Sequence, residues 1–279
     1  MISNLIVPMA GTGQRFVRSG YKTYKPFLKL PNNKTIIESI VSKFDIKTKK
    51  IFIVNKELKK KYIQILKKIP NNKIIYIDKN KLGPGFTLYK AKKSIGNLKS
   101  IYVCYSDILW NWEIPKKHPK KNIIYCFKGW SPFTRNSNNY AFCKLKNKKF
   151  DRIKEKSSFT NNWLTEPLSV GLFYYKNSSE LFKSIDLTIK NNIKINNEYF
   201  PSIGFNFLKN NTEIKFVKSF VHIGKPEYYE EFCSKFKFFL TQGKYRNKIK
   251  KNYLADQIII PAAGKSERFK KENIFIPKY

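Results

Sequence analysis

The fold is decided by Leu5-Ile-Val-Pro-Met-Ala-Gly-Thr-Gly-Gln-Arg-Phe16, which is followed closely by Tyr24-Lys-Pro-Phe-Leu28. An apolar strand leads into a short loop made of Ala10, Gly11, Thr12 and Gly13. Because glycines carry no Cβ, the backbone N–H groups of such a loop can approach a polyphosphate closely. The stretch therefore predicts an anion cradle at the end of a strand. Its spacing matches neither the dinucleotide-binding motif nor the P-loop.

Along the rest of the chain, apolar runs bounded by turn residues alternate with segments of helical period. This alternation is typical of βαβ units around a mainly parallel sheet. The predicted strands are Asn4–Pro8, Lys50–Val54, Ile74–Ile77, Ser100–Tyr105, Asn122–Phe127, Tyr140–Leu145 and Ser169–Tyr175. The predicted helices are Thr35–Phe44, Lys56–Lys68, Pro84–Ser94, Ser178–Asn191 and Pro226–Phe239. We expect an α/β fold of three layers.

The chain is strongly basic, with a formal charge of +37 from 56 Lys and Arg residues against 19 Asp and Glu residues. Such a charge normally suggests nucleic acid as a partner. Here Lys supplies most of the charge and is spread along the whole chain, whereas nucleic-acid readers favour Arg and concentrate it. We interpret the excess as a solvated surface and expect no nucleic-acid partner. A specific polyanion or membrane-surface role is the alternative.

The cysteines and the hydropathy pattern indicate the compartment. Four cysteines show no paired spacing of the kind that a zinc site or a redox pair needs, which favours a reducing cytoplasm. The N-terminus has no signal-peptide layout, and no apolar run approaches the ~18 residues that span a bilayer. We therefore expect a soluble cytoplasmic protein without a membrane partner. The sequence leaves open whether the chain forms a homo-oligomer.

The C-terminal part of the chain contains an internal repeat. Seven residues of the first motif recur in one gapless register as Ile259, Pro261, Ala263, Gly264, Arg268, Phe269 and Lys278. Residues 241–255 before the repeat are polar and Lys-rich. The sequence predicts a main domain over 1–240, a linker over 241–255, and a truncated start of a second copy over 256–279. A coincidental strand and glycine turn is the alternative.

These motifs resemble the nucleoside-diphosphate-sugar pyrophosphorylases, a family of sugar nucleotidyltransferases with the glycosyltransferase-A-like fold. The family is marked by a Gly-x-Gly-x-Arg-Phe/Leu loop and a downstream Lys-Pro. The likeness covers about residues 1–240 and includes Ser106-Asp107, Lys154-Glu-Lys156, Ser169-Val-Gly-Leu-Phe173, Asn197-Glu-Tyr-Phe200 and His222-Ile-Gly-Lys-Pro-Glu227. Within the family, the sequence resembles the capsule-biosynthesis members most.

The resemblance implies a Rossmann-like domain with a mainly parallel mixed sheet. It also implies Mg²⁺-dependent transfer of a nucleoside monophosphate from a triphosphate to a sugar 1-phosphate, with release of pyrophosphate. The partners would be a nucleoside triphosphate and a small phosphorylated substrate, used for surface polysaccharide precursors. One rival is a cytidylyltransferase acting on a non-sugar phosphate or phosphonate, such as phosphocholine. Another is a non-catalytic nucleotide-binding or polyanion-binding module.

By resemblance, Arg15 would bind the β- and γ-phosphates and Lys25 the α-phosphate. Fixed cations suit this reaction because charge flows onto the departing pyrophosphate. An ordinary surface role is the alternative for both residues. By the same resemblance, Asn80, Gly83 and Gly85 would belong to the segment that cups the base in the family. A plain loop whose proline starts the next helix is the alternative there.

Asp107 follows an apolar strand, where open α/β sheets place ligand groups, and its hard oxygen suits Mg²⁺. A helix N-cap is the alternative. The resemblance assigns the acceptor substrate to Glu155, Lys156, Gly171 and Glu198. Surface charge and a plain strand glycine are the alternatives for these four.

One position departs from the family, in which an Asp provides a second metal contact. This chain has His222 there, and imidazole is a poor Mg²⁺ ligand. We expect a partly buried histidine, with a direct hydrogen bond to phosphate as the alternative. For the tryptophans we favour packing over stacking on a substrate. They are Trp110, Trp112, Trp130 and Trp163.

Overall fold

A computed structural model describes residues 3–111, 114–115, 117–131, 134 and 137–246. The chain divides into two compact units, Met1–Phe236 and Lys237–Tyr279. The last helix continues to Arg246, so the first residues of the predicted linker are helical. The rest of the linker and the repeated motif lie outside the described residues, and their assignment stays a prediction.

The strands are β1 (Asn4–Pro8), β2 (Lys49–Asn55), β3 (Asn72–Ile77), β4 (Lys99–Cys104), β5 (Ile108–Asn111), β6 (Asn122–Phe127), β7 (Ala141–Lys146), β8 (Lys149–Glu155), β9 (Leu168–Asn177), β10 (Thr212–Phe216) and β11 (Ser219–His222). The α-helices are α1 (Gln14–Arg18), α2 (Ile36–Val41), α3 (Lys60–Lys67), α4 (Gly83–Ile95), α5 (Ser178–Lys190), α6 (Pro201–Gly204) and α7 (Pro226–Arg246). Every predicted strand and helix is present. Apart from the longer α7, each lies within a few residues of its predicted ends.

Within the described residues, one mixed sheet has the strand order β10-β6-β9-β4-β1-β2-β3, and β7 pairs with both β8 and β9. The pairs β1–β2, β1–β4, β2–β3 and β6–β10 are parallel. Strand β9 runs antiparallel between β4 and β6. This topology confirms the mainly parallel mixed sheet. A separate two-stranded antiparallel sheet joins β5 to β11.

Helices cover both faces of the main sheet. Leu5 and Val7 of β1 belong to one buried cluster together with apolar residues of α2 and α3. Ile6, between them, belongs to a second buried cluster with apolar residues of α4 and α5. Because side chains alternate along a strand, the two clusters lie on opposite faces. The predicted three-layer architecture is therefore confirmed.

Local signals explain where the helices begin. Thr35 caps α2, since its hydroxyl accepts from the Glu38 N–H while the Glu38 carboxylate accepts from the Thr35 N–H. Pro84 lies in the first turn of α4, where its missing N–H costs no hydrogen bond. No helix among the described residues is long and apolar enough to cross a membrane.

Two cysteines that are distant in sequence meet in the core. The sulfurs of Cys126 and Cys143 lie 3.8 Å apart, and both cysteines are buried and free. Their strands do not pair with each other, and each pairs with β9. Sequence spacing alone therefore could not indicate this contact.

Candidate active site

A cavity of about 770 Å³ lies where β1 and β4 end and where the antiparallel β9 begins. Open α/β sheets bind ligands at this carboxyl edge. All the predicted site residues line the cavity except Ala10 and Gly85. Ala10 is 1% exposed and belongs to a core cluster, so only its backbone is available to a ligand.

The glycine loop between β1 and α1 is held in place by Tyr24. The Tyr24 hydroxyl lies 2.7 Å from the carbonyl oxygens of both Met9 and Gly11. Gly13 has φ 62°, and a Cβ there would lie 3.1 Å from the Tyr24 ring. The loop needs glycine at position 13 for its left-handed backbone as well as for this contact. The sequence motifs assigned no role to Tyr24.

The basic residues of the motif take different positions. Arg15 lies on α1, is exposed and lines the cavity. Lys25 is largely buried, with Nζ 2.7 Å from Oδ2 of Asp107, and each of these two side chains is 19% exposed. A solvated surface role for Lys25 is therefore wrong. The position of Arg15 agrees both with phosphate binding in the cavity and with an ordinary surface role.

Asp107 occupies the turn between β4 and β5, so the helix N-cap alternative is wrong. Burial alone would raise the pKa of Asp107. The Lys25 ammonium and the His222 imidazole outweigh burial and hold that pKa well below its usual range. Asp107 is thus a permanently charged carboxylate at the edge of the sheet.

His222 faces this carboxylate because β11 pairs with β5. The register places His222 opposite Ile108, and the Ile223 N–H donates to the Asp107 carbonyl oxygen at 2.7 Å. Nε2 of His222 lies 3.8 Å from Oδ2 of Asp107, and the side chain is 16% exposed. A Cβ at Gly224 would collide with the imidazole. His222 is partly buried, as expected, and it also lines the cavity.

The donor set at this edge fits Mg²⁺ as an ion shared with a substrate. Among the described residues there is no group of three His, Cys, Asp or Glu side chains that could hold a metal. Mg²⁺ often takes one or two carboxylates and completes its octahedron with phosphate oxygens and water. Asp107 can supply one hard oxygen. A triphosphate would have to supply most of the others.

The loop before α4 forms another wall of the cavity. Asn80 accepts a hydrogen bond from the Leu82 N–H at 3.2 Å, which shapes the loop. Gly83 has φ 85°, and a Cβ there would lie 2.8 Å from the Tyr199 carbonyl oxygen. Gly85 does not line the cavity, and its N–H donates to that same oxygen at 2.8 Å. The structure thus shows a packing contact for Gly85, and its nucleotide-binding role stays a prediction.

The acceptor residues predicted from the resemblance also line the cavity. Glu155 ends β8, is 8% exposed, and accepts a hydrogen bond from Ser202 at 2.5 Å. Burial raises the pKa of Glu155 to about 7, with the Ser202 hydrogen bond and the Lys156 charge acting in the opposite direction. Nζ of Lys156 lies 3.4 Å from Oε2 of Glu198. These are pocket residues, so the surface-charge alternative is wrong for Glu155.

Lys156 and Gly171, which also line this part of the cavity, both have a left-handed backbone conformation. Lys156 has φ 56°, a left-handed conformation that is uncommon for a residue with a side chain, and its N–H donates to the Tyr140 carbonyl oxygen at 2.8 Å. Gly171 has φ 79°, and a Cβ there would lie 2.7 Å from the ring of Tyr105. Gly171 is therefore required by packing as well as by its place on the wall.

The described tryptophans do not line the cavity. Trp110 is 4% exposed in the core, and Trp163 packs edge-on against Phe142. Trp130 is 58% exposed. Trp112 lies outside the described residues. The packing interpretation thus holds for Trp110 and Trp163.

Solved structures share this arrangement of strands and helices. A nucleoside-diphosphate-sugar pyrophosphorylase from Vibrio cholerae RC9 aligns with a TM-score of 0.66 at 19% identity, covering 82% of this chain and 99% of its own. The chain has the fold of the sugar nucleotidyltransferases. A UDP-glucose pyrophosphorylase complexed with UDP-glucose aligns with a TM-score of 0.62 at 16% identity, covering 86% and 100%.

A third solved structure has a similar fold. The inositol-1-phosphate CTP transferase from T. maritima aligns with a TM-score of 0.63 at 11% identity, covering 85% of this chain and 96% of its own. No protein-family model matches the chain, and no curated protein matches it in sequence. The fold agrees with the resemblance stated from the motifs.

Proposed function

We propose that the chain is a nucleotidyltransferase that joins a nucleoside monophosphate to a sugar 1-phosphate and releases pyrophosphate. One observation carries the proposal. A single cavity is lined by the glycine loop, Arg15, Lys25 and Asp107 and also by Glu155, Lys156 and Glu198. The first group suits a triphosphate, and the second suits a small polar acceptor.

The reaction requires the protein mainly to position the two substrates and to neutralise the charge on their phosphates. An acceptor phosphate oxygen attacks the α-phosphorus, a new P–O bond forms, and the bond to the bridging oxygen of the leaving pyrophosphate breaks. No general base is needed, because the attacking phosphate is already anionic near neutral pH. Arg15, Lys25 and the loop N–H groups would stabilise the charge that develops on the leaving group.

Lys25 is paired with Asp107 in the structure. Both residues have to be available during the reaction, since Lys25 would bind the α-phosphate and Asp107 would hold Mg²⁺. The ion supplies neutralisation of the phosphate oxygens when it is bound. We infer that substrate binding exchanges the Lys25–Asp107 pair for contacts with the triphosphate.

The setting that we propose is a cytoplasm in which the sugar nucleotide serves as a surface polysaccharide precursor. The free state of the described cysteines fits a reducing compartment. A second candidate is transfer of CMP to a non-sugar phosphate, and the similarity to the CTP transferase from T. maritima is the observation that supports it.

The test is release of pyrophosphate by the full chain with each of the four ribonucleoside triphosphates and thymidine triphosphate. The acceptors would be hexose 1-phosphates, inositol 1-phosphate and phosphocholine, with and without Mg²⁺. We expect Mg²⁺-dependent release only when an acceptor is present, and formation of the matching diphosphate product. Release without an acceptor, or no release with any pair, would contradict the proposal.

We further propose that residues 256–279 are the start of a second nucleotidyltransferase copy and contribute nothing to catalysis by residues 1–240. The support is the gapless repeat of the motif over these residues. A chain ending at Arg246 should keep full pyrophosphate release. Loss of activity in a shortened chain that still unfolds cooperatively would show that the tail reaches the first site.

A further inference from the structure

The segment of residues 200–206, which contains α6, lies against the end of β8. Asn206 bonds to both backbone groups of Ile153, since its Oδ1 accepts from the Ile153 N–H at 2.8 Å and its Nδ2 donates to the Ile153 carbonyl oxygen at 3.1 Å. Ser202 donates to the carboxylate of Glu155, the last residue of β8. The segment therefore fixes the strand end that carries the predicted acceptor residues.

Phe200, at the start of this segment, contacts the side chain of Lys156, which directly follows β8. The Lys156 ammonium lies over the Phe200 ring, with Nζ 4.8 Å from the ring centroid. Phe200 is 7% exposed, and both residues line the cavity. A cation in this position is attracted by the negative face of the ring. The sequence motifs assigned no role to Phe200.

The contact with the ring holds the Lys156 ammonium without occupying its hydrogen-bond donors. A lysine ammonium has three N–H donors. Within the described part of the chain, its carboxylate partner is Glu198, whose Oε2 lies 3.4 Å from Nζ. That contact can use one donor, so two are left for a ligand. The Lys156 side chain is 19% exposed, and an anionic phosphate oxygen is a fitting partner for its charge.

We propose that Phe200 is a positioning residue for the acceptor, because its ring fixes the Lys156 ammonium where the acceptor phosphate binds. The proposal rests on the proposed nucleotidyl transfer. Lysine has a long flexible stem, and holding it in place before the substrate arrives removes an entropic cost from binding and from the alignment of the attacking oxygen. The backbone of Lys156 is fixed as well, since its N–H donates to the Tyr140 carbonyl oxygen at 2.8 Å.

The first test compares Phe200→Leu with the wild-type chain in the pyrophosphate assay. At saturating triphosphate, kcat/KM for the best hexose 1-phosphate should fall roughly 10-fold, and the KM of the triphosphate should stay unchanged. The matched control is Phe182→Leu. Phe182 is 6% exposed and has Nζ of Lys92 5.7 Å from its ring centroid, but it lies outside the cavity. This control should leave both parameters unchanged.

Two further measurements separate positioning from packing. In the Lys156→Met background, Phe200→Leu should cause no additional loss of acceptor kcat/KM, because the ring acts through the ammonium. Phenylalanines with one, two or three ring fluorines at position 200 keep the shape of the ring and weaken its negative face. They should lower acceptor kcat/KM stepwise, even if Phe200→Leu fails to fold. An equal loss from Phe200→Leu with and without Lys156, or no effect of fluorination, would overturn the assignment.

The failures of the two proposals can be distinguished. Acceptor-dependent pyrophosphate release that is the same across the fluorinated series would overturn the role of Phe200 while nucleotidyl transfer survives. Absence of pyrophosphate release from the wild-type chain with every acceptor would overturn the proposed function, and the role of Phe200 with it.

Discussion

Replacing Lys25 by Met should destabilise the ligand-free protein as well as remove its activity, because Asp107 loses its partner. The two charged groups lie 2.7 Å apart, and each side chain is only 19% exposed. Removing one member of a buried pair commonly costs about 3–5 kcal/mol, since the other charge stays buried and unpaired. The cavity admits water, so we expect a loss of about 2–3 kcal/mol in the free energy of unfolding.

A double-mutant cycle isolates the interaction from other effects of the mutation. The cycle consists of Lys25→Met, Asp107→Asn and the double variant, which leaves neither charge in the cavity. We expect a coupling energy of about 2 kcal/mol. The matched control is the exposed pair Lys92–Asp186, whose Nζ and Oδ2 lie 2.6 Å apart but whose side chains are 45% and 40% exposed. Its cycle should give less than about 0.5 kcal/mol.

The assay is urea unfolding followed by tryptophan fluorescence. All four tryptophans belong to the unit Met1–Phe236, so the signal reports on the unit that contains the cavity. At a temperature where Lys25→Met is folded, its turnover should fall roughly 10²-fold or more. A coupling energy as small as that of the exposed pair would refute the reasoning, because Asp107 would then be solvated without Lys25.

Three further results are expected. Burial raises the pKa of Glu155 from its ordinary value of 4.5 to about 7 in the folded protein. The contribution of Glu155 to the free energy of unfolding is therefore fully present below pH 4.5 and is lost as the pH rises through 7. Glu155→Gln should flatten that decline in urea midpoints measured from about pH 5 to about pH 8. Tyr24→Phe should lower kcat/KM for the triphosphate roughly 10-fold by loosening the glycine loop, while leaving the acceptor KM unchanged in steady-state kinetics. Gly171→Ala should lower the free energy of unfolding by about 2 kcal/mol or more, because φ is 79° and the new Cβ meets the Tyr105 ring. A urea midpoint equal to that of the wild type would show that the ring moves aside freely.

The parts of the fold that were predictable have strong local signals. The run Leu5 to Phe16 contains an apolar strand and glycines in one short stretch, and the structure has β1, the loop and α1 there. The helices α4 and α5 have apolar faces of helical period and recognisable first turns. Local residues largely determine such elements, so their positions follow from the sequence.

The strands that were missed depend on distant partners. Strands β5 and β11 have four residues each and pair across more than a hundred positions of sequence. Strand β8 is interrupted by charged residues, and its apolar positions are visible only once β7 is placed beside it. Short or charged strands carry a weak periodic signal, and tertiary pairing decides them.

The same limit applies to the candidate site. Resemblance indicated Asp107, but it could not show that His222 would reach the same carboxylate through the β5–β11 pair. Tyr24 looks like an ordinary aromatic residue in the sequence. Its role depends on where its hydroxyl points, which is at the carbonyl oxygens of Met9 and Gly11.

The overall charge of +37 does not identify the ligand, because the cavity does not share the uniform charge of the chain. Its lining mixes both signs, because Arg15, Lys25 and Lys156 are accompanied there by Asp107, Glu155 and Glu198. A polyanion is attracted by a continuous field of one sign and would meet three carboxyl groups here. A triphosphate and a small polar acceptor can instead use the basic and the acidic groups of the cavity separately. The local arrangement therefore argues against the polyanion-binding alternative, although the net charge by itself favours it.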